Sequence, residues 1–276
     1  MNTMSRKISV VTTFHQAGYD QYGSRMIDTF LKNWPSSVDL YVYAENCSVI
    51  QTAPNLHIID YETAVPALTE FKQRWSNDLR ATGRLAMGPP DRKGKQQGIG
   101  FKWDAVRFSH KVYAVCDLAR KINGILLWMD ADTVCHSPVD TTTLNRLIPD
   151  SVDIAFLGRK NKYTECGLYA LNLASPVTKE FVELFQGVYD YAEQGIFTMS
   201  EWHDSWVFDQ IRQEIADKQS SWRQLNWSEG LITGEGHPLI NSEWGAYLDH
   251  LKGNRKQSQR SLPKDLKVKR TEAYWQ

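Results

Sequence analysis

The stretch Gly124-Ile125-Leu126-Leu127-Trp128-Met129-Asp130-Ala131-Asp132-Thr133-Val134 constrains the fold more than any other. A continuous apolar run opened by Asn123-Gly124 predicts a strand buried on both faces, and such strands belong mostly to sheets covered by helices. The run ends in two carboxylates. Side chains alternate along extended backbone, so Asp130 and Asp132 are expected on one side, at the carboxyl end of the strand, where open α/β sheets bind their ligands. That pairing suits a divalent cation, although an Asp-rich turn at a strand end has the same sequence.

The 276 residues are enough for a full hydrophobic core, as one large α/β domain or two small ones. Cys47, Cys116, Cys135 and Cys166 are scattered with no Cys-x-x-Cys pair, which points to ordinary thiols in a reducing compartment and against a zinc site. Met1 to Lys7 is polar, and no apolar run reaches the roughly eighteen residues of a membrane span, so a cytoplasmic protein with no membrane span is expected. The formal charge is zero but unevenly placed. Residues 72–102 carry eight cations against two carboxylates, and residues 252–270 eight against one, a pattern that points to a polyanionic ligand or partner.

Around the central run, strand and helix alternate. Residues 8–13 predict a first strand, which ends in the hydroxyls of Thr12 and Thr13 ahead of a loop containing Gly18, the opening of a nucleotide-binding unit. A helix is expected over 22–34, with Met26, Ile27, Phe30 and Leu31 on one face and Pro35 behind it. Strands at 38–43 and 56–59 and a helix over 66–78 follow. The alternation implies a mainly parallel sheet with right-handed crossovers. Residues 80–100 carry seven glycines and prolines and are read as a loop, either a lid or an acceptor-gripping segment.

Residues 101–120 give the clearest helix: Phe101, Ala105, Phe108, Val112, Val115 and Ala119 recur at spacings of four and three and should face the sheet. Asp104, Arg107 and Lys111 follow along the border of that face. They form either an intrahelical ladder of charges or, for Arg107 and Lys111, a cover over a diphosphate or sugar. Further strands are expected at 152–157 and 167–173, and a helix at 177–191 behind Ser175-Pro176. Another helix is expected from about Ser200, with His203 and Asp204 in its first turn. The tail after Gly253 loses hydrophobicity and should cross the surface.

Four pieces in order carry a family resemblance. They are Asp130-Ala131-Asp132, Glu165-Cys166-Gly167-Leu168-Tyr169-Ala170-Leu171-Asn172, His203-Asp204-Ser205-Trp206-Val207-Phe208-Asp209, and His250-Leu251-Lys252-Gly253-Asn254-Arg255-Lys256. Together they resemble the GT-A-fold, nucleotide-sugar-dependent glycosyltransferases of the glycogenin and bacterial galactosyltransferase type. The resemblance implies a single GT-A-like, Rossmann-like α/β domain over the whole chain. Residues 1–135 would be its nucleotide-sugar-binding half, 136–256 the half that completes the metal site and takes the acceptor, and 257–276 a basic tail. It implies a hexosyl- or pentosyltransferase that uses Mn²⁺ or Mg²⁺ and a nucleotide-diphosphate sugar, a UDP-sugar first. By the same resemblance Asp130, Asp132 and His250 hold the cation, with Asp130 also meeting the donor. Gly253 lets the backbone approach phosphate, and Lys256 binds the diphosphate. Glu165 stands where the family has Asn, Ser205 where it has Gln, and no Pro-Trp follows Lys256.

The chemistry agrees with that family. Breaking a sugar–phosphate bond builds negative charge on the leaving nucleoside diphosphate, which a cation and Lys or Arg side chains stabilise. Two carboxylates and one imidazole suit Mn²⁺ or Mg²⁺. Asp204 is the first candidate for a sugar-contacting or basic carboxylate and Glu165 the second. His237 is a rival third metal ligand. Two other readings stand beside this one: a haloacid-dehalogenase-type phosphatase, whose Asp-x-Asp-x-Thr/Val strand residues 130–134 also resemble, and a non-catalytic nucleotide- or glycan-binding module. The two basic stretches suit a polyanionic acceptor, either a hydroxylated base flipped out of DNA or an anionic glycan.

Overall fold

The computed structural model describes residues 6–90, 92, 94–231 and 237–276; Asp91 and Lys93 of the expected loop, and Gly236 beside His237, lie outside them. The strands are β1 (Ile8–His15), β2 (Asp39–Glu45), β3 (Leu56–Asp60), β4 (Thr82–Arg84), β5 (Ile99–Asp104), β6 (Ile125–Met129), β7 (Thr133–Cys135), β8 (Ile154–Arg159), β9 (Lys162–Asn172), β10 (Gln224–Asn226) and β11 (Leu248–His250). Seven form one sheet in the order β10-β8-β9-β6-β1-β2-β3, so both halves of the chain contribute to it. Its pairs are parallel except those of β9, which runs antiparallel to β6 and β8. This is the mainly parallel, helix-flanked α/β sheet expected. β9 reverses because only Lys160 and Asn161 separate it from β8, too short for a crossover, and Asn161 takes a left-handed φ of 59° that Asn tolerates.

β6 is buried along its whole length, as its apolar run requires. Leu126 and Trp128 face one apolar cluster, while Ile125, Leu127 and Met129 face the other. Helices Pro66–Trp75, Ala105–Lys121, Pro176–Asp190 and Asp204–Lys218 bury Phe71, Val112, Phe181 and Phe208 in the first. Helix Ser24–Asn33 buries Met26, Ile27 and Phe30 in the second. Each such side chain contributes roughly 1.5–3 kcal/mol by leaving water, which fixes the sheet and hence the strand end that matters for function.

Several expectations give way. The helix predicted over 101–120 runs Ala105–Lys121. Residues 99–104 are instead β5, paired antiparallel with β4, and the Asp104 side chain caps the helix by accepting from the Arg107 amide at 3.0 Å. Phe101 therefore leaves the core and is 55% exposed. The same pairing puts strand at the two ends of residues 80–100, at 82–84 and 99–100, while the described residues between them form the loop that the glycines and prolines predict. The helix expected from Ser200 begins at Asp204, capped by His203, whose ring accepts from the Trp206 amide at 3.3 Å. The tail is anchored as well as exposed. Ser261 and Tyr274 bond the buried Asp249 carboxylate, Trp275 donates to the Gly245 carbonyl at 2.7 Å, and Arg270 is spent on the carbonyls of Ile240 and Ser242. Among the described residues no helix is long and apolar enough to cross a membrane.

Candidate active site

The end of β6 is held tightly. The Asp130 amide donates to the Gly167 carbonyl of β9 at 2.9 Å, and the Thr133 amide closes a turn onto the Asp130 carbonyl at 3.0 Å. β7 leaves that turn and pairs antiparallel with β11 in a separate two-stranded sheet, in a register that sets His250 opposite Thr133. The Leu251 amide then donates to the Asp132 carbonyl at 2.8 Å. This ladder brings His250 Nε2 to 3.3 Å from Asp130 Oδ2 and 3.0 Å from Asp132 Oδ1. Ligand atoms of all three residues lie within 4.8 Å of one another. Neighbouring ligands of an octahedral ion with bonds near 2.1 Å stand about 3 Å apart, so the spacing fits Mn²⁺ or Mg²⁺, as do the hard oxygens and the single imidazole.

His250 is held in place from behind. Its Nδ1 lies 2.9 Å from Glu165 Oε1, and Lys252 also pairs with that oxygen. A carboxylate on Nδ1 leaves Nε2 facing the two aspartates, the arrangement in which an imidazole serves as a metal ligand. Glu165 is buried. Burial alone would raise its pKa, but Lys252, His250 and His237 hold it well below the usual carboxylate range. Burial likewise disfavours charge on His250, yet Asp132, Asp130 and Glu165 override it and raise its pKa. Gly167 makes this packing possible, because a Cβ there would lie 2.5 Å from the His250 ring. His237 does not reach the aspartates. Its Nε2 bonds the His250 carbonyl at 2.7 Å, burial brings its pKa down to about 4, and it supports the ligand strand.

Lys111 lies on the other side of Asp130. Its ammonium is 2.7 Å from Asp130 Oδ1, 2.5 Å from Asp204 Oδ2 and 2.7 Å from the Cys166 carbonyl, over the Trp128 ring. The helix-internal ladder with Asp104 is therefore not formed by Lys111, which neutralises the buried Asp204 and the half-buried Asp130 across the sheet. The Trp128 indole also donates to Asp130 Oδ1 at 2.7 Å. Burial opposes ionisation of Asp130, but Lys111 and His250 lower its pKa.

A cleft of about 480 Å³ opens in front of these groups. Asp130, Asp132, Lys111, Arg107, Lys256 and Thr13 all line it, and Lys256 stands 2.9 Å from Asp132 and over the Tyr22 ring. Thr13 bonds the Tyr43 carbonyl at 2.7 Å. Thr12, one residue back, is fully buried and does not line the cleft. Gly253 adopts a φ of 56° with open space where a side chain would stand. Asp204 is absent from the lining, as is Glu165; each is tied to cations beneath it, which speaks against either acting as a free base. The sequence reading missed Trp128, Lys252 and Tyr22. Trp128 lies two residues before Asp130 on the strand, a signal that alternation offers, whereas Lys252 follows a tight turn in which its amide donates to the His250 carbonyl at 2.9 Å. Tyr22 had no such signal.

No family model and no curated protein matches the chain. Three solved structures of similar shape are glycosyltransferases. WbbM, a bifunctional glycosyltransferase, matches over 97% of this chain and 46% of its own at 12% identity and a TM-score of 0.43. Mouse xyloside xylosyltransferase 1 matches over 79% of this chain and 84% of its own at 10% identity and a TM-score of 0.43. GlyE of Streptococcus pneumoniae matches over 80% and 45% at 16% identity and a TM-score of 0.38. The chain thus spans about half the length of WbbM and GlyE. Likenesses at this level assign no activity; what the cleft can do follows from its own residues.

Proposed function

We propose that this chain is a metal-dependent GT-A-type glycosyltransferase that moves a sugar from a nucleoside-diphosphate donor to a hydroxyl acceptor. The observation that carries the reading is the triad of Asp130, Asp132 and His250 at the end of the central strand, with Lys256 beside it at 2.9 Å from Asp132. The three ligands would hold Mn²⁺ or Mg²⁺, which when bound supplies Lewis-acid neutralisation of diphosphate oxygens. Lys256 and Arg107 line the same cleft and would meet charge building on the leaving diphosphate. Tyr22 and Phe14 offer aromatic surface for a base, and a uridine nucleotide is the first donor to test. Where the acceptor needs a base, Asp104 takes that role in this reading. It lines the cleft and burial pushes its carboxyl up, whereas Glu45 is clamped by Lys72 and His110.

A phosphatase using Asp130 as its nucleophile is not favoured. Asp130 Oδ1 is already held by Trp128 and Lys111, and Oδ2 faces His250. The deciding experiment is calorimetric titration of UDP-sugars with and without Mn²⁺. Donor binding is expected only with metal, and Lys256→Ala should lower metal-dependent donor turnover about 10²–10³-fold. Donor binding indifferent to chelation, or to Asp132→Asn, would overturn the reading.

A further inference from the structure

A second concave surface lies along the same carboxyl edge of the sheet, past β9. It is built of three adjoining depressions. The first, about 470 Å³, lies beside the end of β8 and is lined by Arg159, Lys160, Lys162 and Arg212. The second, about 500 Å³, shares Lys162 and Gln213 with the first and adds Tyr163, Trp206 and Gln210. The third, about 630 Å³, shares Lys102 with the second and adds Phe101, Trp103, Gln96 and Gln97 from the β4–β5 side. Shared walls make one groove, and each segment repeats the same chemistry of cations, side-chain amides and an aromatic ring.

The groove passes close to the metal cleft. His203 is 2% exposed and its ring touches three others: Tyr163 at 4.3 Å and Phe101 at 6.1 Å from the groove, and Phe108 at 5.9 Å from the cleft. One layer of side chains separates the two. The walls are also set. Arg212 is fixed by Asp209 at 3.0 Å and Gln224 at 2.8 Å and stands 4.3 Å over the Phe156 ring, and Arg159 is fixed on the Tyr163 carbonyl at 2.8 Å.

Cations draw a polyanion, but they do not by themselves say which one. Nucleic acid demands a strongly basic surface, because affinity comes from neutralising many phosphates. Here the whole chain is neutral with a pI near 7.0, and of the groove's cations Lys102 is paired with Glu201 and Arg212 with Asp209, while Glu229 adds a third carboxylate. Amides in every segment suit sugar hydroxyls, and the exposed Phe101 and the half-buried Trp206 suit the apolar faces of sugar rings. We propose that this groove binds an acidic oligosaccharide, which serves as the acceptor if the transferase reading above is right.

The test is calorimetric titration of the full chain, without donor, against oligogalacturonate, a heparin-derived oligosaccharide, a neutral maltooligosaccharide and oligothymidylate. At least one acidic glycan should bind more tightly than the neutral one and than oligothymidylate. That binding should weaken at least tenfold in a Lys160→Gln/Lys162→Gln variant and fall as salt rises. The same variant should bind UDP with Mn²⁺ as the wild type does, which shows that it is folded. Equal binding of neutral and acidic glycans, tighter binding of oligothymidylate, no binding of either acidic glycan, or an unaffected double variant would each overturn the proposal. If UDP and Mn²⁺ bind but the glycans do not, the groove is refuted and the transferase reading stands. If the glycans bind but no nucleotide does with metal, the reverse holds.

Discussion

Replacing Gly167 by Ala tests the metal triad without touching a ligand. The added Cβ would lie 2.5 Å from both Cε1 and Nδ1 of His250 and 3.2 Å from Glu165 Oε1. Carbon contacts relax at about 3.5 Å, so the imidazole must retreat by about 1 Å. Coordination distances tolerate only about 0.2 Å. Backbone strain plays no part, since Gly167 is not among the positive-φ glycines. Disturbing a partner one step behind a metal ligand costs about 10–100-fold in affinity, and displacing the ligand should cost at least that. Overpacking adds a stability loss of about 1–3 kcal/mol, which leaves the chain folded. The assay is Mn²⁺ titration followed by the free-ion resonance signal, with urea unfolding alongside. His237→Ala should have the smaller effect on Mn²⁺, because His237 bonds the backbone of the ligand strand and stands 3.9 Å from Glu165 without reaching the His250 ring nitrogens. Wild-type Mn²⁺ affinity in folded Gly167→Ala, or a larger loss in His237→Ala, would remove His250 from the ligand set.

Lys111→Met should leave the buried Asp204 without a cation and deprive the half-buried Asp130 of one, destabilising the apo protein by about 3–5 kcal/mol in urea; a loss under about 1 kcal/mol would show the ion pairs to be unimportant. For His110, burial brings the pKa down to about 4, below the unfolded value of about 6.5, so the unfolded chain binds the extra proton. Its contribution is present above pH 6.5 and lost as pH falls toward 4. Wild type should therefore lose about 2 kcal/mol more than His110→Gln between pH 7 and pH 5, and parallel losses would contradict the neutral, buried state. Phe101→Ser should shift urea stability by under about 0.5 kcal/mol, as fits an exposed strand residue; a core-sized loss would restore the longer helix.

Much of the fold was legible because burial writes itself into the sequence. The uninterrupted run at 125–129 gave a strand with both faces covered, and its position ahead of Asp130 and Asp132 located the ligand end of the sheet. The helix start was not legible. Phe101 continues the spacing of Ala105 and Phe108, and periodicity carries no sign that Asp104 caps the helix while residues 99–104 pair with β4. Charge was harder still. A count of cations in residues 72–102 could not reveal that Lys72 is spent on Glu45, Arg80 on Glu193, and Lys102 on Glu201. The partners lie far along the chain, and only the folded arrangement brings them together. For the same reason Glu165 read as a candidate base, although Lys252 and His250 make it a support for the imidazole.

Two of the three proposed metal ligands follow directly on the end of the central strand, while the third arrives on a three-residue strand belonging to a different sheet. During synthesis Asp130 and Asp132 can settle long before residue 250 leaves the ribosome, yet no ion finds its imidazole until β11 docks on β7. The proposed activity would thereby depend on the docking of this strand. On the proposed mechanism, a nascent or clipped product with a folded sheet but no docked β11 would be inert rather than half-active and would not consume donor to no purpose. The coupling also runs backwards. An ion bound at a hundred times its dissociation constant stabilises the assembled state by about 2.7 kcal/mol, and that clasp falls on the segment anchored through Asp249 and Trp275. Metal supply would then govern how long this part of the protein survives proteolysis as well as whether the proposed transferase works.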